Sequence, residues 1–117
     1  MTSRVRVPRR GDVWLVDFGT PVGHEQGFRR PAVVLSADRM NASRAGLVIV
    51  VSITRSRRGL PSHVELDAEQ TGLRETSYAK GEDIKSVSVD RLVHPLGHAP
   101  ESSLHRLGAA VRTLLDL

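Results

Sequence analysis

Three residues of the types that chemistry on a phosphodiester requires stand beside two apolar segments of the chain. Arg30 precedes Pro31 at the start of one segment, Thr54 ends the next, and Glu25 lies shortly before the first. If the two segments are neighbouring strands of a sheet, their ends can converge. A guanidinium then holds phosphate at two points, a hydroxyl donates to a phosphate oxygen, and a carboxylate accepts a proton.

A phosphodiester of RNA suits such a trio, because the ribose 2′-hydroxyl can attack the adjacent phosphorus without a metal ion or water. The reaction needs an acceptor for the 2′ proton, a donor to the leaving 5′ oxygen and cations around the crowded phosphate. The same residues are also consistent with a surface arginine, a strand-end threonine and a loop glutamate. Residue types alone leave both interpretations open.

The elements that must position these side chains are mainly strands. Alternating or continuous apolar segments rich in β-branched residues predict strands at 12–18, 32–36, 47–53, 63–66, 77–80, 83–89 and 93–98. After Pro100, apolar residues at helical spacing predict one terminal helix; they are Leu104, Leu107, Val111, Leu114 and Leu115. The predicted fold is mainly β, with a C-terminal α-helix packed against a small barrel or curled sheet, in a single domain over residues 1–117.

The charge of the chain is unevenly distributed. Its 117 residues carry a net charge of +4, but residues 1–58 carry +7 and residues 59–117 carry −3. Fifteen of the seventeen basic residues are arginine. A preference for arginine codons would explain that ratio but not the clustering, which favours a polyanionic partner such as nucleic acid.

Other classes of site are disfavoured by composition. The chain has no cysteine, which excludes disulfides, thiolate zinc sites and a cysteine nucleophile. His94 and His98 are separated by Pro95 and Gly97, so a helical metal site is not expected there. The longest aliphatic run, Leu47 to Val51, is too short to span a membrane. We therefore expect a cytoplasmic protein without a metal or other cofactor.

A series of short motifs runs in register along the chain. They are Arg10-Gly11-Asp12-Val13-Trp14, Gly23-His24-Glu25-Gln26-Gly27, Arg30-Pro31-Ala32-Val33-Val34-Leu35-Ser36, Ile53-Thr54, Leu60-Pro61-Ser62-His63-Val64-Glu65-Leu66 and Glu82-Asp83-Ile84-Lys85-Ser86-Val87. In this order and spacing the chain closely resembles the MazF/PemK family of toxin endoribonucleases, from about residue 9 to residue 116.

The resemblance implies an SH3-like β-barrel with a C-terminal helix, acting as a homodimer. It implies metal-independent, sequence-selective cleavage of single-stranded RNA, chiefly mRNA, and a cognate MazE-like antitoxin that blocks the RNA groove. Carried over by motif position, the key arginine of the family falls on Arg30, the threonine on Thr54 and the loop glutamate on Glu25. Glu25 and His24 are both candidates for accepting the 2′ proton.

The RNA-binding residues expected from this comparison surround the same motifs: Phe18, His24, Arg29, Arg55, Arg57, Asp83 and Lys85. Two features depart from the family pattern. Asp83 stands where many relatives have glutamine, and a carboxylate only accepts hydrogen bonds whereas an amide also donates them. The loop after Thr54 carries additional arginines, which would tighten contact with the RNA backbone or be simply solvated.

Two functions from other classes remain as alternatives. A non-enzymatic toxin of the same fold, like the CcdB-type gyrase poisons, would lack the arginine–threonine pair represented here by Arg30 and Thr54. An RNA-binding module that has lost cleavage is compatible with the change to Asp83.

The aromatic residues are not expected to form a binding surface. Trp14 is expected in the core, and the four aromatic residues are too few for a wide base-stacking surface.

Overall fold

The computed structural model of the chain describes residues 6–19 and 28–117. Within these ranges the chain forms six β-strands, three α-helices and a short 3-10 helix. The strands are β1 (Asp12–Asp17), β2 (Arg29–Val34), β3 (Leu47–Thr54), β4 (His63–Leu66), β5 (Ser77–Ser88) and β6 (Leu92–His98). The helices are α1 (Asp38–Asn41), α2 (Ala68–Thr71) and α3 (Glu101–Leu115), and the 3-10 helix is Val89–Arg91.

All six strands belong to one sheet in the order β4-β5-β3-β2-β1-β6. Every neighbouring pair is antiparallel. Among the described residues β4 and β6 do not pair, so the sheet is barrel-like but not closed. The expected mainly-β fold with a C-terminal helix is therefore confirmed, and the expectation of a barrel is met by an open, barrel-like sheet.

Both faces of the sheet are buried, which explains why β2 and β3 are almost continuously apolar. On one face of the sheet, alternate strand residues pack against Leu104, Leu107 and Val111 of α3 and form a first core cluster. The intervening residues form a second cluster on the opposite face, which includes Trp14 and Val16. Trp14 is only 4% exposed, which confirms its predicted place in the core.

Helix α3 forms where its apolar stripe predicts. Pro100 is its N-cap residue, Glu101 lies in the first turn and Arg112 in the last, so both charges oppose the helix dipole. Leu114 and Leu115 are about half exposed, so the predicted stripe is buried only over its first part. The helix contacts β4 and β5, which leaves the ends of β2 and β3 uncovered by it.

One local expectation was wrong, and two short helices were not predicted. The segments 77–80 and 83–89 are not two strands but the single twelve-residue strand β5. Its pairing with β3 shifts register between Val51 and Ile53, so an irregularity replaces the expected break at Gly81. The short helices α1 and α2 were not predicted, because four residues are too few to show helical periodicity.

Candidate active site

The register of β2 and β3 determines where Arg30 and Thr54 stand. Ala32 pairs with Ser52 in this antiparallel ladder. Arg30 lies two residues before Ala32, and Thr54 lies two residues after Ser52, so the same register extended beyond this pair places Arg30 opposite Thr54. Side chains two residues apart lie on the same face of a strand. The two strands are thus neighbours, as expected, and the guanidinium and hydroxyl occur at the same end of the pair.

A cavity of about 450 Å³ opens at this end of the strands, and we call it the strand-end cavity. Both Arg30 and Thr54 line it. The remaining lining residues come from all the strands but β4, from the residue after β3 and from the connection between α2 and β5: Leu15, Arg29, Pro31, Ile53, Arg55, Gly72, Leu73, Arg74, Ser77 and Leu96.

The charges around the strand-end cavity have one sign. Within the described part of the chain its charged lining residues are Arg29, Arg30, Arg55 and Arg74, and no carboxylate is among them. All four arginines are exposed, and none of them forms an ion pair with another described residue. Like charges held together without counter-charges favour an anionic ligand.

The hydroxyl of Thr54 is oriented by the backbone that follows it. Its Oγ1 accepts a hydrogen bond from the backbone N–H of Ser56 at 3.1 Å. A hydroxyl that accepts in this way keeps its own proton available for donation. Thr54 is partly buried at the rim of the cavity, and its hydroxyl can donate to an oxygen of an anion bound at this strand end.

A second group of expected RNA-binding residues lies apart from the lining of this cavity. The ammonium of Lys85 stands 5.0 Å from the centre of the Phe18 ring, within the range of a cation–π interaction. Asp83 lies between two lysines, with its carboxylate oxygens 3.8 Å from Lys85 Nζ and 4.0 Å from Lys80 Nζ. Its negative charge is thus compensated within the protein.

Strand register connects the two groups. Val16 pairs with Arg30, and Phe18, one residue beyond the end of β1, packs against the same core cluster as Val16. Val50 pairs with Lys85, and Val50 shares its face with Thr54 four residues later. Arg30, Thr54, Phe18 and Lys85 therefore belong to the face of the sheet opposite α3.

The other expected site residues do not all lie at the strand-end cavity. Arg55 lines the strand-end cavity, but Arg57 lines a different one, of about 490 Å³, together with His63, Tyr78 and Arg106. Glu25 and His24 lie outside the described residues. Their roles, like those assigned to the other site residues, stay predictions.

Comparison with known proteins identifies the family. The family described as PemK-like, MazF-like toxin of type II toxin–antitoxin systems matches residues 9–115. The chain belongs to this family.

Individual relatives agree with this assignment. The endoribonuclease MazF9 of Mycobacterium tuberculosis is 38% identical over 114 residues, covering 93% of this chain and 97% of the relative. The endoribonuclease EndoA of Bacillus subtilis is 30% identical over 112 residues, covering 95% of this chain and 97% of the relative.

Solved structures of the family have the same fold. MazF of Deinococcus radiodurans superposes with a TM-score of 0.83 at 30% identity, covering 97% of this chain and 100% of that one. A MazE–MazF complex from the same organism gives a TM-score of 0.80 at 30% identity, covering 97% and 99%. The resemblance read from the motifs is therefore confirmed.

Two features of this PemK/MazF-family chain were not singled out from the sequence. Arg74 lines the strand-end cavity, although it lies in a connection with no periodic signal. The second is a polar cluster of Ser62, His63 and Glu82, in which Ser62 Oγ donates to Glu82 Oε1 at 2.7 Å and His63 Nε2 lies 2.8 Å from Glu82 Oε2. We call it the His63–Glu82 cluster.

The His63–Glu82 cluster has a defined electrostatic character. Burial raises the pKa of Glu82, but hydrogen bonds from Ser62, His63 and the backbone, with the electrostatic attraction of His63, together lower it by more, so the pKa of this carboxyl lies below its ordinary value. The His63 side chain is only 3% exposed. The cluster joins the end of the loop over residues 55–62, which we call the arginine-bearing loop, to β5. Ser62, His63 Nε2 and Glu82 satisfy one another, while the buried His63 Nδ1 has no hydrogen-bond partner among the described residues.

The described residues offer neither a cluster of metal ligands nor a helix that could span a membrane. In residues 6–19 and 28–117, no group of three or more histidine, aspartate or glutamate side chains is arranged to hold a metal ion. None of the helices in the same ranges has the length and hydropathy needed to cross a membrane.

Proposed function

We propose that this chain is an endoribonuclease toxin that cleaves single-stranded RNA, chiefly mRNA, at selected sequences. One observation carries the proposal: Arg30 and Thr54 occur at the same end of two paired strands and both line a cavity whose charged residues, in the described part of the chain, are all arginines. The proposal is supported by the two curated relatives, both endoribonucleases, that align over nearly their full length.

The reaction is an internal transfer at phosphorus. The ribose 2′-hydroxyl attacks the adjacent phosphorus as its proton passes to an acceptor, and the bond from phosphorus to the 5′ oxygen breaks as that oxygen gains a proton. The products are a 2′,3′-cyclic phosphate and a 5′-hydroxyl. No metal ion or water is required, because the nucleophile belongs to the substrate.

Arg30 and Thr54 stabilise the charge that develops in this reaction. A guanidinium stays protonated in proteins, which makes it a poor base but a good partner for two phosphate oxygens. We assign Arg30 to holding the scissile phosphate and stabilising its transition state, and Thr54 to donating its free hydroxyl proton to a phosphate oxygen. Glu25 or His24, earlier in the sequence, would accept the 2′ proton.

The flanking RNA would lie along the face that carries Phe18 and Lys85 and along the exposed arginines. Arg29, Arg55 and Arg57 are all exposed and would contact backbone phosphates, which fix position without reading sequence. Asp83 would contribute to base selection by accepting from a base amino group. With few aromatic residues in the chain, polar contacts rather than a wide stacking surface would select the bases.

The proposed partners follow from the family. The chain would function as a cytoplasmic homodimer of single-domain protomers, without a cofactor. A cognate antitoxin, similar to the MazE that accompanies MazF in the Deinococcus radiodurans complex, would cover the RNA-binding surface. Its inhibitory segment should be acidic and apolar, because it competes with RNA for a surface rich in arginine.

The decisive experiment incubates the purified protein with RNA in the presence of a metal chelator. We expect cleavage that leaves 2′,3′-cyclic phosphate and 5′-hydroxyl ends, and at least about a hundredfold loss of rate in Arg30→Ala. Arg44→Ala is the matched control, since Arg44 is also exposed but does not line the strand-end cavity. Binding of RNA without products, or trapping of DNA gyrase with intact RNA, would overturn the proposal.

A further inference from the structure

Arg74 reaches the strand-end cavity from an element that the site motifs do not include. Arg30 and Thr54 are supplied by β2 and β3, whereas Arg74 lies in the connection between α2 and β5. An exposed arginine in a connection is ordinarily solvated. Two observations, the rigid attachment of this segment and the charge around it, give Arg74 a more specific role.

Backbone contact fixes the segment that carries Arg74. Gly72 ends α2 in the left-handed conformation, with φ of 72°. A Cβ atom at Gly72 would lie 1.9 Å from the carbonyl oxygen of Leu96, and one at Gly97 would lie 2.4 Å from the carbonyl carbon of Thr71. Because no side chain can separate these two backbones, α2 is pressed directly against β6.

Side chains on either side of Gly72 anchor the same segment. Thr71 is fully buried, and its Oγ1 donates to the carbonyl of Asp67 at 2.6 Å and accepts from the backbone N–H of Leu73 at 3.3 Å. Leu73 packs against the core cluster that includes α3. Arg74 therefore follows directly after anchored residues, so its backbone is held in place at the cavity before any ligand binds.

The surroundings of Arg74 favour an anion. Among the described residues no carboxylate forms an ion pair with Arg74 and none lines the cavity, while three other arginines do line it. Between these arginines the cavity presents apolar side chains, among them Leu15, Ile53 and Leu96. Apolar surface beside cations matches a nucleotide, which combines a flat base with phosphate groups.

We propose that the strand-end cavity binds the nucleotide next to the scissile linkage, with its base on the apolar surface and its outer phosphate on Arg74. This inference rests on the proposed function and adds a substrate-binding residue to it. A cavity of about 450 Å³ lies near the lower end of the range for small-ligand pockets, roughly 300–1,000 Å³, and so accommodates one nucleotide. Arg30, at the rim of the cavity on the opposite face of the sheet, holds the scissile phosphate, and Arg74 holds the next one.

Binding to RNA that cannot be cleaved tests Arg74 separately from catalysis. The probe is a mixed-sequence oligoribonucleotide with 2′-O-methyl groups at every position, which removes the nucleophile. We expect Arg74→Gln to raise the Kd about threefold to tenfold and to reduce the slope of log Kd against log salt by about 0.7, the value for one phosphate contact on a single strand. Arg44→Gln, the control, should change neither quantity.

A scan of neutral linkages locates the contact. Methylphosphonate groups replace one phosphate at a time on either side of the cut in a substrate that the wild-type protein cleaves. At one linkage beside the cut, the substitution should raise the KM of the wild type about threefold to tenfold and leave that of Arg74→Gln unchanged.

The outcomes separate this inference from the proposed function. Equal binding and equal linkage sensitivity in Arg74→Gln and wild type, with RNA cleavage intact, would overturn the role of Arg74 alone. Absence of cleavage by the wild type, together with weakened binding by Arg74→Gln, would overturn the proposed function and leave Arg74 as an RNA contact. Arg74→Lys should keep part of the affinity that Arg74→Gln loses, because lysine retains the charge but not the planar fork.

Discussion

The strand-end cavity and the His63–Glu82 cluster are two places in the described part of the chain where polar side chains gather, and they are built in opposite ways. In the cluster, Ser62 and His63 both reach the carboxylate of Glu82, and the imidazole is almost completely buried. In the cavity, four exposed arginines line one space, and no described carboxylate compensates them.

The comparison distinguishes polar groups that stabilise the fold from charged groups that are available to bind a ligand. Polar groups that satisfy one another contribute to folding and have little left to offer a ligand. Uncompensated charges of one sign add nothing to stability and are retained where a ligand of the opposite sign supplies the partner. The same protein thus holds its arginine-bearing loop with one set of polar groups and presents its binding surface with another.

The largest expected effect is on catalysis and comes from the cavity. Arg30→Lys keeps a positive charge but loses the planar fork that holds two phosphate oxygens. We expect kcat/KM for RNA to fall about a hundredfold, while the free energy of unfolding changes by less than about 0.5 kcal/mol because Arg30 is exposed. Cleavage assays and urea denaturation of the same preparation measure both. A large loss of stability would mean that the cavity is structural as well.

The next effect is on stability and comes from the cluster. His63→Ala removes a side chain that is only 3% exposed and leaves Glu82 without one of its donors. We expect a loss of about 2 kcal/mol in the free energy of unfolding, with the cleavage rate per folded molecule within about twofold of wild type. His105→Ala on the exposed surface of α3 is the control. Lost cleavage at unchanged stability would contradict this assignment.

The smallest effect is the pH dependence of that stability. The pKa of Glu82 is lowered by folding, so its contribution is fully present above the pKa of an unfolded glutamate, about 4.3, and is lost as the pH falls through the lower folded value. We expect the stability difference between wild type and Glu82→Gln to shrink below about pH 4.3, as measured by urea denaturation from pH 7 to pH 3. Glu75→Gln, at an exposed position, should show no such trend. A difference independent of pH would mean that Glu82 acts through packing alone.

Much of the fold could be predicted because its signals are local. The β-branched segments of β2 and β3 and the leucine spacing of α3 each arise within a few neighbouring residues. The single strand β5 was mistaken for two, because Gly81 interrupts the strand pattern and the irregular pairing with β3 that accommodates it is a tertiary feature. The helices α1 and α2 are too short to leave a pattern.

The candidate site was only partly predictable for a related reason. Arg30 and Thr54 could be proposed because one begins an apolar strand and the other ends the next, and the limits of such strands are recognisable in a sequence. Arg74 could not be proposed from the sequence, because its position at the cavity depends on the close contact of α2 with β6 at Gly72 and Gly97, which are distant in the chain. The pairing of His63 with Glu82 is equally non-local, as nineteen residues separate the two partners.

The sequence by itself determined the family, the strand segments, the terminal helix and the two residues on which the proposed chemistry depends, because each is written in residue type and short-range spacing. Only the tertiary structure decided which arginines share one cavity, which carboxylates are already paired, and which face of the sheet carries Phe18 and Lys85. Those properties depend on strand order and register, which are set by contacts between residues far apart in the chain.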